Sequence, residues 1–154
     1  MVKFDEQAIL ENGAYIYAMR QEIEAIADTV CGKGFDNILF TASGGSLAMM
    51  QPFDYMISAT SRLNVQSQVS AELLTTGNSH LTDRTIVFMA SKSGDTRETV
   101  EAARYVKEKG ATVISVLGVE GSPLGGLSDH TVIYKDGRPQ EYVLYMLVGR
   151  ILYN

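Results

Sequence analysis

Between Asn37 and Tyr134 the chain alternates between two textures: short apolar runs that stop at Ser, Gly or Thr, and longer segments with apolar residues three or four apart. The runs Asn37 to Thr41, Arg62 to Val65, Thr85 to Ala90, Thr112 to Leu117 and Thr131 to Tyr134 predict five strands. Most of Ile86 to Ala90 and of Val113 to Leu117 is apolar without alternation, as in strands of a parallel sheet covered on both faces. Between them Val100, Ala103 and Val106 form a stripe, while Arg97, Glu98, Glu101, Arg104 and Glu108 lie off it. That spacing predicts a crossover helix with one face in water. Strands alternating with helices predict an α/β class: a doubly wound parallel sheet with helices on both faces.

The two ends differ from this middle. From Phe4 to Cys31 apolar and acidic residues mix, and Ile16, Met19, Ile23, Ile26 and Val30 make the stripe of one amphipathic helix, ended by Gly32-Lys33-Gly34. At the other end Tyr142 to Val148 is apolar on every side, and Ile151, Leu152 and Tyr153 carry the pattern to Asn154. A helix with no polar face needs cover all round. It is either a central core helix or an interface with another subunit or domain, and the second is expected because the chain stops inside the pattern. The organisation expected is an N-terminal helical segment, residues 1–34, and one domain, residues 35–154, in a chain that is itself part of a longer protein.

Composition narrows the function. The 154 residues are 45% hydrophobic and 20% charged, which excludes disorder and collagen-like structure. A domain of this length buries roughly 70% of the surface its unfolded chain exposes, so a core forms without metals or crosslinks. Thirteen Lys and Arg stand against eighteen Asp and Glu, a formal charge of −5, which argues against nucleic acid or anionic membranes as partners. An anionic ligand has to be held locally. The single cysteine, Cys31, forms no internal disulfide and reads as a small, partly buried residue. With no run of about 20 apolar residues and no leader pattern, the expected location is the cytoplasm.

Two segments rich in Ser and Gly each follow a strand and precede a helix: Thr41-Ala42-Ser43-Gly44-Gly45-Ser46 and Ser91-Lys92-Ser93-Gly94-Asp95-Thr96. Small residues let backbone approach a ligand, hydroxyls donate hydrogen bonds, and a helix start offers unpaired N–H groups with partial positive charge. Ser, Thr and Asp are also ordinary caps and turn formers. The pair of segments is what points to a phosphate. In a sheet of order 2-1-3-4-5, strands one and three are adjacent and both segments open on one crevice. Spacing excludes a dinucleotide fingerprint, a nucleotide P-loop and a G-x-S-x-G elbow. His80 and His130 lack metal-type spacing and Cys partners, so neither a metal nor a cofactor is expected. Asp95, in the first helical turn, is expected to point outward, and Arg97 and Arg104 to be solvated.

At these segments the sequence resembles the sugar isomerase (SIS) domain family, which binds phosphosugars on a five-stranded flavodoxin-like αβα sandwich of order 2-1-3-4-5. The family signature Ser-x-Ser-Gly-x-Thr is matched by Ser91, Ser93, Gly94 and Thr96, with Glu98 and Thr99 continuing it. The first loop is similar, with Ser43 in place of a frequent cysteine. Ser70-Ala71-Glu72 resembles a Ser-Glu element after the second strand, and Gly121-Ser122-Pro123-Leu124 through Ser128-Asp129 resembles the segment before the fifth. The resemblance implies phosphate binding by Ser46, Ser91, Ser93 and Thr96, with backbone support from Gly45 and Lys92.

Phosphate binding anchors the inert end of a substrate; moving a proton between C1 and C2 needs a base. The resemblance offers Glu141, at the start of the last helix, then Glu72. The histidines are left as ring openers without positional support. The opening Gly34-Phe35-Asp36-Asn37-Ile38-Leu39-Phe40 is most similar to enzymes with two SIS domains in tandem, the fructosamine-6-phosphate deglycases and the isomerase half of glucosamine-6-phosphate synthase. The implied function is the sugar-phosphate domain of such an enzyme, inactive by itself, paired with a second SIS domain or forming a homodimer or higher oligomer. The alternative is a non-catalytic module for sugar-phosphate sensing or assembly.

Overall fold

Ile38 to Ala42 carries only apolar or small side chains, so a strand there is stable when covered on both faces, and β1 (Asn37–Ala42) is an interior strand. It pairs in parallel with β2 (Asn64–Val69) on one side and with β3 (Thr85–Ser91) on the other. Beyond β3 lie β4 (Thr112–Leu117) and β5 (His130–Ile133), giving the order β2-β1-β3-β4-β5. The helices are α1 (Glu6–Ala18), α2 (Arg20–Lys33), α3 (Gly45–Thr60), α4 (Ser70–Thr76), α5 (Arg97–Glu108), α6 (Pro123–Leu127) and α7 (Gln140–Tyr153). The computed structural model describes residues 5–134 and 140–154. Phe4, where the N-terminal helix is expected to begin, lies outside the described residues.

The pleat divides the core in two. Ile38, Phe40, Ile86, Phe88, Ile114 and Val116 face one side, where α2, α3 and α7 cover them. Leu39, Val87, Met89, Val113 and Leu117 face the other, under α4, α5 and α6. Phe40 and Phe88, partners in the β1–β3 register, stack with ring centroids 5.1 Å apart. The expected α/β class, order and layers are those observed.

Three expectations shift. The second strand is Asn64–Val69 rather than Arg62 to Val65. On this half-exposed edge Asn64, Gln66 and Gln68 alternate with Val65, Ser67 and Val69, so no continuous apolar run marks it. The N-terminal helix is two helices parted at Met19, whose N–H donates to Ile16 O and Tyr17 O. Only Ile16 of α1 is buried, so little packing holds α1 in line with α2. Finally, α7 is not apolar all round. Val143, Leu144, Leu147, Val148 and Ile151 are buried in the chain's own core, and Tyr142, Tyr145 and Tyr153 are exposed. Tyrosine counts as apolar in a sequence pattern, yet its hydroxyl tolerates water.

The end of α7 is tied to α2. Arg150 donates to both oxygens of Asp28, Nε at 2.7 Å and Nη2 at 3.0 Å, and Asn154 Nδ2 donates to Oδ1 at 2.7 Å. The hydrogen bonds from Arg150 and then Asn154 hold the Asp28 carboxyl down at about 2, from its ordinary 3.8. Burial raises the Cys31 thiol, which is half-buried beside this clamp.

Leu147→Ala, which empties a fully buried site, is expected to lower stability by about 2 to 5 kcal/mol in chemical denaturation. The depressed Asp28 value means that its contribution is complete above pH 3.8 and is lost as pH falls through about 2. Asp28→Asn is therefore expected to flatten the acid limb of the stability curve between those values while leaving its shape near neutrality unchanged; equal acid limbs in both proteins would contradict this.

Candidate functional site

Because β1 and β3 are parallel neighbours, the segments leaving their C-terminal ends start side by side. The chain from β1 turns into α3 on one face of the sheet, and the chain from β3 turns into α5 on the other. Between them is the point where the winding direction reverses, at which open α/β sheets usually form a ligand crevice. One hydrogen bond joins its walls: Ser43 Oγ and Thr99 Oγ1, in the first turn of α5, are 3.3 Å apart. Behind it the fully buried pair Thr41 Oγ1 and Ser70 Oγ, 3.2 Å apart, ties β1 to the start of α4.

In the first wall Gly44 and Gly45 are exposed and Ser46 is half-buried as the second residue of α3. The second wall is more ordered by its own bonds. Ser91 is buried; its Oγ accepts from Gly94 N at 2.9 Å and lies 3.4 Å from Thr96 Oγ1. Thr96 caps α5 without a side-chain bond to the helix. Lys92 and Ser93 are exposed. Asp95 is exposed, and its carboxylate accepts the hydroxyl of the exposed Ser93, so the carboxylate and the hydroxyl occupy one another. Arg97 is exposed, and Arg104 pairs with Glu101 at 3.7 Å on the outer face of α5, as the pattern implies.

The acid and base candidates are spread out. Glu141 is exposed in the first turn of α7, which follows β5 and so starts at the same end of the sheet as the crevice. Glu72, in the first turn of α4, lines a polar groove of about 740 Å³ with Asp54, Gln68, Thr76 and His80, along the free side of β2. None of the groove's lining residues comes from either crevice segment. His80 lies at the far end: it precedes β3 and its carbonyl accepts from Asn37 Nδ2. A six-residue strand is roughly 20 Å long, so His80 does not reach the crevice to open a sugar ring there. His130, the first residue of β5, pairs with Ile114 in the middle of β4 and stands two strands away from β3. Burial lowers the His130 pKa. Asp129 is a strand bracket: partial burial pushes its carboxyl up, but Lys107 Nζ at 2.6 Å and Val113 N at 2.8 Å together leave it lowered.

Sequence reasoning named Thr99 and Ser122 only as parts of motifs and missed their roles as tethers. Thr99 is a hydroxyl inside the apolar stripe of α5, which is the signal that would have found it. Ser122 caps α6, accepting from Gly125 N at 3.3 Å, and backs onto the second loop. Among the described residues no cluster of three or more His, Cys, Asp or Glu could hold a metal, and no helix is long and apolar enough to cross a membrane.

The geometry defines an α/β domain in which two hydroxyl-rich strand ends stand side by side at the switch point of the sheet. The profile of the SIS domain matches residues 35–153, and the chain belongs to that family. It is 31% identical over 120 residues to fructosamine deglycase FrlB of Bacillus subtilis (strain 168), covering 77% of this chain and 37% of that protein. It is 32% identical over 133 residues to a glutamine–fructose-6-phosphate aminotransferase (isomerizing) of Methanococcus maripaludis, covering 86% of this chain and 21% of the relative. A Bacillus subtilis crystal structure, provisionally assigned as a phosphosugar isomerase, superposes with a TM-score of 0.81 at 30% identity over 86% of this chain and 42% of the other. The chain thus spans well under half the length of these relatives.

Gly94 has φ +66°, and a Cβ there would stand 2.2 Å from Ser122 Oγ. Gly94→Ala is accordingly expected to cost at least about 1 to 3 kcal/mol and to lower the melting temperature. An unchanged melting curve would show that the loop does not hold this conformation.

Proposed function

We propose that the crevice binds the phosphate of a sugar phosphate, and that the chain is one sugar-phosphate domain of a deglycase or ketose/aldose-phosphate isomerase. The observation that carries the reading is the Ser43–Thr99 bond, which sets two hydroxyl-rich loops against one space. Ser46, Ser93 and Thr96 supply side-chain donors, Gly45 and Lys92 backbone donors, and Ser91 acts chiefly by shaping the second loop through Gly94 N. In a chain of net charge −5, such local donors are the means of holding an anion.

With the phosphate fixed, the carbonyl end of an open-chain sugar extends from the crevice toward acid and base groups. Glu141 is the base candidate that shares the crevice's end of the sheet. Glu72 serves better along the β2 edge, where a second domain or subunit would meet it. In a deglycase the base takes a proton from the phosphorylated Amadori compound, and hydrolysis releases an amine and a sugar phosphate. The remaining groups come from a second SIS domain or another subunit, so this chain alone is inactive. Exposed Tyr142, Tyr145 and Tyr153 offer the face for that pairing. The reading is of a cytoplasmic protein without a cofactor.

The Ser93–Asp95 contact sharpens the test. Ser93→Ala is expected to weaken fructose 6-phosphate binding by about 1 to 2 kcal/mol in calorimetry, through loss of the charge-assisted hydrogen bond that the hydroxyl makes once it turns from Asp95 to the phosphate. Asp95→Asn frees that hydroxyl and removes a negative charge beside the phosphate, so it is expected to tighten binding several-fold. Affinities unchanged in both variants would place the phosphate elsewhere.

A further inference from the structure

The second loop has its carbonyl oxygens drawn to one side. Ser91 O and Lys92 O both accept from Gly118 N, at 3.4 and 3.2 Å, and Gly94 O accepts from Leu124 N at 2.9 Å. Gly118 follows β4 and Leu124 lies in α6, so all three bonds come from the connection between them. β4 and β1 flank β3 on opposite sides. In a trans peptide the C=O of one residue and the N–H of the next point in opposite directions, and no peptide among the described residues is cis. The N–H groups of Lys92 and Ser93 are therefore turned from β4 toward the side of β1, where the first loop stands, and that of Asp95 is turned away from α6. The Gly94 N–H is set apart, because it donates to Ser91 Oγ.

The fit is too close for side chains. A Cβ on Gly118 would lie 2.5 Å from Lys92 O, a backbone atom that cannot swing away as a side chain would. The Ser122 Oγ and Cβ likewise occupy the space that a Cβ on Gly94 would need.

We propose that the β4–α6 connection, through Gly118 and the Ser122–Leu124 turn, is the positioning element of the phosphate loop: it pulls carbonyls out of the crevice and so aims amides into it. The inference rests on the phosphate reading of the crevice. Its physical content is that one carbonyl turned inward would replace a donor by a partial negative charge facing a dianion, so the loop works only while this connection is in place. The residues involved touch the loop and not the ligand.

Inorganic phosphate and fructose 6-phosphate are the probes. In the ¹⁵N-labelled wild-type chain, saturating phosphate is expected to shift the amide signals of Ser93 and Asp95 strongly and that of Gly94 least. Gly118→Ala is expected to raise the Kd of both probes by the same factor, about tenfold or more, well below its melting temperature. Gly126→Ala, in α6 and with open space at its Cβ, is expected to leave both values alone. A merely structural role would lower the melting temperature of Gly118→Ala without moving either Kd. If the wild type binds neither probe, the phosphate reading fails and this proposal with it. If it binds while the Ser93 and Asp95 amides stay still, or Gly118→Ala binds within about twofold of wild type, the proposal is overturned and the phosphate reading stands. Should Gly118→Ala not fold, the wild-type amide shifts decide.

Discussion

Because β1 pairs with both β2 and β3, the chain must reverse its winding direction at β1, and the two segments leaving β1 and β3 diverge to opposite faces of the sheet. The crevice exists because of that divergence. Were β3 to pair elsewhere, Ser43 and Thr99 would sit on unconnected surfaces, and each loop would be an ordinary capped helix start. The central pairing is therefore built to resist change, with every residue of β3 buried and Phe40 stacked on Phe88 across it. Side-chain packing of that density leaves few alternative registers.

On this rigid base the two walls are made differently. The first is glycine-rich and exposed, and gains its position from β1 and from one hydrogen bond to α5. The second is fixed internally by Ser91 and externally by the β4–α6 connection. Three strands thus contribute to a site that sequence motifs assign to two. Such construction suits a ligand whose charge must be matched by dipoles, since the chain's own net charge opposes an anion.

Much of the fold was legible because β3 and β4 are mostly apolar and α5 is strongly two-faced, which are patterns set by burial itself. The edge strand β2 was misplaced by a few residues because its alternating amides and valines are half in water. The faces of α7 were misread because tyrosine is apolar by count and amphipathic by chemistry. At the site, the loops were visible because two Ser- and Gly-rich segments follow neighbouring strands; one alone would read as an ordinary cap or turn. The Asp95 contact was not visible: it depends on the turn of one backbone segment, which helix-dipole reasoning does not fix. The bracing by Gly118 was hidden for a similar reason, because hydrogen bonds between backbones carry no residue-type signal.

A crystal structure of the chain grown with saturating fructose 6-phosphate tests the central claim most directly. The account predicts a phosphorus atom between residues 43–46 and 91–96, with oxygens in hydrogen-bond reach of both segments. Phosphate density at another place, or an empty crevice with the two loops unobstructed by neighbouring molecules, would contradict it.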